Sequence, residues 1–153
     1  MTLLEPIAKA LDISIIELFA GRSVSNGNRT SNMLRSVFYV CPMCGNGIFS
    51  YGQAVVSCCG ITLVPQESEE MDEEHPIEVE MSDGEYYVTV NHPMEKDHYI
   101  TMISAVSDAS IQLTQLYPEG NAEARFRRDR IRWIYAYCNR HGLYRIDLRR
   151  MKR

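Results

Sequence analysis

Trp133-Ile134-Tyr135-Ala136-Tyr137-Cys138-Asn139-Arg140-His141-Gly142-Leu143-Tyr144-Arg145-Ile146 reads as a strand, a tight loop and a second strand. Trp133, Tyr135 and Tyr137 alternate as the residues of a half-buried strand do, and an apolar run resumes at Leu143. Cys138 and His141 bracket the turn between them, and both are soft or borderline metal ligands. A second such stretch, His92-Pro93-Met94-Glu95-Lys96-Asp97-His98-Tyr99, sets two histidines on either side of a turn, and His75 stands alone upstream. The chain has four histidines and five cysteines. This group takes every histidine and Cys138, while Cys41, Cys44, Cys58 and Cys59 form a compact cluster of their own. A protein with two metal centres is therefore expected.

At 153 residues, 45% hydrophobic and 24% charged, the chain has the composition of a globular protein large enough to bury a core. No run of 18 or more apolar residues offers a membrane span, and the N-terminus lacks a basic-then-apolar leader, so a cytoplasmic protein is expected. Five cysteines without such a leader favour metal or redox chemistry over structural disulfides. A net charge of −4 gives no general case for nucleic acid. The charge is unevenly spread, acidic from Glu67 to Glu85 and arginine-rich from Arg125 to Arg153. Complementary solvated surfaces explain that pattern, as does docking of a charged electron-donor protein.

Leu4, Ile7, Ala8 and Leu11 follow helical spacing, and Ser14-Ile15-Ile16-Glu17 is a capping box that opens a second short helix stopping at Gly21. The stretch from Leu3 to Phe19 resembles the last two helices of the helix-turn-helix repressor family related to phage repressors. The helix that would enter the major groove is not in this resemblance, so residues 1–21 are expected to be a remnant without DNA binding of its own. Residues 22–35, rich in Ser, Asn and Gly, read as a flexible linker.

Short strands begin at Val37-Phe38-Tyr39-Val40, which leads into Cys41-Pro42-Met43-Cys44. A hairpin around Gly52-Gln53 is expected to deliver Cys58-Cys59, completing a tetrahedral sulfur site. The adjacency of Cys58 and Cys59 should distort that cage, and a zinc knuckle that only folds the segment is an alternative to a redox metal. Further strands are expected at residues 77–81, 86–90, 99–106, 111–117, 131–137 and 143–146, with Asp83-Gly84 as a hairpin turn between the first two. About seven short strands in this stretch suggest an antiparallel β-sandwich of immunoglobulin type.

His92 to Ile100 and Tyr137 to Gly142 look like the signature loops of the desulfoferrodoxin and superoxide reductase family. Tyr117 to Phe126 resembles its intervening proline-glycine segment, and Cys41, Cys44, Cys58 and Cys59 resemble the desulforedoxin module that precedes the catalytic domain in two-iron members. The resemblance implies a mainly β protein with a helical N-terminus: a four-cysteine module over 36–66 and a catalytic sandwich over 67–153. It implies an equatorial ring of His75, His92, His98 and His141 on one non-haem iron, with Cys138 as axial thiolate opposite an open position. The iron would pass one electron to superoxide, yielding hydrogen peroxide, and a rubredoxin-like protein would restore it. A second iron, or zinc, would sit in the four-cysteine site, and that module would mediate a homodimer.

In the family a Glu-Lys pair precedes the first histidine ligand, whereas this chain reads Glu73-Glu74-His75. Glu73 fits, Glu74 replaces the lysine that attracts superoxide, and Lys96 would supply the positive charge from the other loop. Two alternatives follow. The helical tail suggests a redox-sensing transcriptional regulator, and the lost lysine a passive electron-transfer iron protein.

Overall fold

The computed structural model describes residues 3–11, 15–21 and 32–151. Helices α1 (Leu4–Ala10) and α2 (Ile15–Ala20) pack on each other with Ala8 buried between them. Ser14 of the expected capping box lies outside the described residues, as do residues 22–31 of the expected linker. The end of that linker is structured: Met33–Arg35 form a 3-10 turn whose Leu34 N–H donates to Asn32 Oδ1 at 2.9 Å. Apolar Met33 and Leu34 explain the departure from a free linker, because both pack on the body of the protein.

Two small hairpins follow, β1 (Val37–Val40) with β2 (Gly47–Ser50) and β3 (Ser57–Cys58) with β4 (Ile61–Thr62). The expected hairpin around Gly52-Gln53 is not formed. Each cysteine pair occupies a turn of its own instead, which removes any need for β2 to pair with β3. Cys59 and Gly60 both adopt positive φ, 51° and 79°, as a tight two-residue turn requires.

The body is a sandwich. One sheet has the order β10-β7-β6, from β6 (Ile77–Ser82), β7 (Glu85–Val90) and β10 (Glu123–Arg127). The other has the order β5-β12-β11-β8-β9, from β5 (Ser68–Glu70), β8 (Ile100–Val106), β9 (Ile111–Gln115), β11 (Trp133–Cys138) and β12 (Gly142–Asp147). A short helix, α3 (Leu148–Met151), ends the described chain. Asp83 and Gly84, at φ 52° and 82°, make the expected turn between β6 and β7. Two strands were not expected. β10 lies in the segment read as a proline-glycine connection, and β5 lies in the acidic stretch. β5 pairs with β12 in parallel, so the sandwich is antiparallel except at this edge.

Alternation builds the core. Tyr86, Val88 and Val90 of β7 turn inward to meet Ile77, Ile103, Phe126, Ile134 and Ile146. β8 is buried along nearly its whole length, because a second layer covers the outer face of its sheet. There Phe38 of β1 packs with Met102, Val106, Tyr135 and Leu143, its ring centroid 5.1 Å from that of Tyr135. The cysteine module is thus anchored to the sandwich by its first strand, and Gln66 N–H donates to the Phe38 carbonyl at 2.8 Å. Among the described residues no helix is long and apolar enough to cross a membrane.

Ile134 has no exposed surface at the centre of this core. Ile134→Ala is expected to lower the unfolding free energy by about 2–5 kcal/mol, read from denaturant titration. A loss below about 1 kcal/mol would mean that the two sheets do not meet there.

Candidate metal centre

Both ligand-bearing loops open from the same end of the sandwich. β11 and β12 are joined by the loop Asn139–His141, and Gly142 at φ 102° closes the turn in a conformation that L side chains rarely adopt. The register of β11 against β8 shifts after Tyr137: Tyr137 faces Met102, but Cys138 faces Ile100. The residue skipped, Thr101, makes a bulge of the kind that re-aims side chains beside functional sites. It leaves Cys138 fully buried at the base of the loops.

His75, His92, Cys138 and His141 bring their ligand atoms within 4.8 Å of one another. His75 Nε2 lies 2.9 Å from His141 Nδ1. Cys138 Sγ lies 3.5 Å from His92 Nε2 and 3.7 Å from His141 Nδ1. His98 falls outside that set by ligand-atom distance, yet its ring stands edge-on to His92 and His141, with centroids at 4.6 and 4.8 Å. His75 neighbours His92 at 5.0 Å and His141 at 4.9 Å. The rings therefore close a cycle of four, in the order His75, His92, His98, His141.

In His92 and His75 the second nitrogen shows which one is left for an ion. Nδ1–H of His92 donates to the Pro93 carbonyl at 2.6 Å, freeing Nε2. Nδ1–H of His75 donates to Asp72 Oδ1 at 2.9 Å, which also accepts the backbone N–H groups of Glu74 and His75 at 3.0 and 2.7 Å. That hydrogen bond from His75 is the main reason the Asp72 carboxyl sits below its usual range. His75 is buried and stacked on Tyr144 with centroids 4.0 Å apart, which fixes the ring plane. Burial pushes the His92 imidazole below its ordinary value, a shift toward its neutral, ligating form.

The donor set fits a metal. His98 Nε2 is buried without a hydrogen-bond partner, a costly state for a polar atom with no ion to meet. Two nitrogens about 2.1 Å from one ion stand about 3.0 Å apart at right angles and about 3.4 Å apart in a tetrahedron. The 2.9 Å between His75 Nε2 and His141 Nδ1 suits the right-angled arrangement.

The expected acid and cation stand outside this ring. Glu73 occupies the exposed turn before His75. Lys96 sits on the exposed tip of the 92–98 loop, its ammonium 3.8 Å from Glu119. Asp72 was missed in the sequence. Its signal is the Asp-x-x-His spacing, masked by the acidic residues around it.

The second centre is smaller and more exposed. The sulfurs of Cys41, Cys44, Cys58 and Cys59 also lie within 4.8 Å of one another. Cys44 and Cys58 are 3.6 Å apart, and Cys58 and Cys59 3.9 Å. Those separations are too long for disulfides and close to the roughly 3.8 Å edge of four sulfurs about 2.3 Å from one ion. The expected distortion from adjacency is therefore absent at that edge; the positive φ of Cys59 absorbs it. The Cys44 backbone N–H first, and that of Met43 with it, draws the buried Cys41 thiol down to about 7. Cys59 is pushed up to about 12, chiefly by its hydrogen bond to Cys44. A cation resolves this crowding by taking the place of the thiol protons.

The profile of the family described as Desulfoferrodoxin matches residues 63–147. A desulfoferrodoxin homolog of Archaeoglobus fulgidus is 35% identical over 116 residues, covering 69% of this chain and 92% of that protein. The desulfoferrodoxin of Nitratidesulfovibrio vulgaris is 31% identical over 119 residues, or 71% and 94% of the two chains. In three dimensions the chain resembles the superoxide reductase of Treponema pallidum at a TM-score of 0.66 and 24% identity, over 73% of this chain and 98% of that one. The two clusters, one of four cysteines and one of histidines with a cysteine, match the two non-haem iron centres of desulfoferrodoxin-type proteins. By sequence, fold and ligand sets together, this chain belongs to the desulfoferrodoxin family.

Proposed function

We propose that the chain is a superoxide reductase whose catalytic iron is held by His75, His92, His98, His141 and Cys138. The observation that carries this reading is the closed cycle of four imidazole rings with the Cys138 sulfur beside it. A ferrous iron held by these residues would supply one electron to superoxide, which with two protons would give hydrogen peroxide and no dioxygen. A rubredoxin-like protein is the proposed source of the replacement electron.

The chain's own residues set the conditions for that exchange. Cys138 would offer a thiolate from an apolar floor, and such a ligand would donate electron density to a metal held there. His141 is the exposed ligand, so solvent and a small anion reach the centre from its side. Asp72 holds the proton on His75 Nδ1, which fixes the tautomer and strengthens Nε2 as a donor. Lys96 is the proposed attracting charge. Its pairing with Glu119 is well exposed on both sides and holds it only weakly. Glu73 is the proposed nearby carboxylate, and Glu74 opposes the anion's approach.

The deciding experiment reduces the iron-loaded protein and mixes it with a pulse of superoxide. Fast oxidation of the iron with one peroxide formed per superoxide is expected; iron indifferent to superoxide would leave a passive electron carrier. Cys138→Ser should abolish the thiolate-to-ferric absorption band and the reaction together. Glu74→Lys should raise the bimolecular rate by about two- to ten-fold, most at low salt; a rate independent of ionic strength would remove the steering role. Asp72→Asn should weaken iron binding by about 10–100-fold in chelator competition while leaving the four-cysteine site loaded.

A further inference from the structure

The two ligand loops are held to each other by side chains that no ligand role explains. Within the 92–98 loop, Glu95 and His98 bond through their backbones, N to O at 2.9 and 3.3 Å. On one flank the Glu119 N–H donates to the Met94 carbonyl at 2.7 Å, and the Ile100 N–H meets Met94 Sδ at 3.4 Å. On the other flank stands the loop that follows Cys138. Asn139 grips Tyr99 by its own N–H to the Tyr99 carbonyl at 3.2 Å, and by its side-chain carbonyl accepting from Tyr99 N–H at 2.9 Å. Its side-chain amide also donates to the Asp97 carbonyl at 3.1 Å. Arg140 Nε donates to the same carbonyl at 3.1 Å, while its Nη2 pairs with the Asp97 carboxylate.

We propose that Asn139, Arg140 and Asp97 form a latch that sets the spacing between the His92–His98 pair and the Cys138–His141 pair, and so governs retention of the metal. These are positioning residues, acting through the ligands beside them. Backbone pairing of β11 with β8 ends at Cys138 and Ile100. Beyond that point the latch is what ties the two loops together on their solvent side. Arg140 suits the task because its planar fork meets a carbonyl and a carboxylate at once, which a lysine ammonium does less well. The inference rests on the five-ligand iron centre, but not on superoxide as its substrate.

The test measures iron release rather than turnover, so its outcome is independent of the reaction. The full chain, loaded with iron at both centres, is challenged with a ferrous chelator, and the absorption of the four-cysteine centre serves as an internal control. Arg140→Ala and Asn139→Ala are expected to release the histidine-bound iron roughly ten-fold faster and to shift the thiolate-to-ferric band, with the four-cysteine signal unchanged. Arg140→Lys should recover part of the retention. Wild-type release and an unshifted band in both alanine variants would overturn the latch. Should either fail to fold, Arg140→Gln decides, because it keeps a polar side chain but loses the fork that meets the Asp97 carbonyl and carboxylate together: faster release supports the latch, and an unchanged rate overturns it.

Discussion

A cysteine at the apolar floor of a β-sandwich is the constraint on which the rest depends. Cys138 has no exposed surface and belongs to the same buried cluster as Ile100, Ile134 and Tyr144. Uncompensated anionic sulfur there would be costly to bury, and a neutral thiol would be only a small apolar side chain. A cation against it turns the position from a packing element into a ligand. Packing and metal binding therefore share one side chain, and the Thr101 bulge makes that possible by re-aiming it without breaking β11.

The two centres handle charge differently. The four-sulfur site lies on two hairpin turns, where backbone N–H groups and solvent soften the accumulation of negative charge. The histidine site sets imidazoles around one buried cysteine, with an oriented carboxylate, Asp72, held behind His75. The sulfur site suits an ion that keeps a closed shell. The histidine site presents one exposed ligand, His141, and an approach from solvent.

The grouping of the four cysteines, and of His75, His92 and His141 with Cys138, was legible in the sequence because histidine and cysteine are scarce here and fall in turns or at strand ends. So was the Asp83-Gly84 hairpin, whose residues tolerate positive φ. The Gly52-Gln53 hairpin was misread because turn composition outweighed the cysteines, each pair of which already defines a turn. β5 was hidden because a three-residue edge strand with charged side chains carries no alternating apolar signal. Charge at such an edge keeps a second sheet from adding there, and Glu70 is answered by Arg150 at 4.0 Å. β10 was hidden by the neighbouring Pro118 and Gly120, and its alternation becomes visible only once Ala124 and Phe126 are seen to face inward. The bonds between Asn139, Arg140 and Asp97 join residues about 40 positions apart, and nothing local announces them.

The spacing of the ligands along the chain also sets an order of assembly. The four cysteines fall within residues 41–59, joined by two hairpins that close over short loops. The five residues proposed to hold the other iron span residues 75–141, and the placement of the last of them depends on the pairing of β8, β11 and β12. Closing longer loops costs more chain entropy and is slower, so the cysteine site can organise while the rest of the chain is still being synthesised.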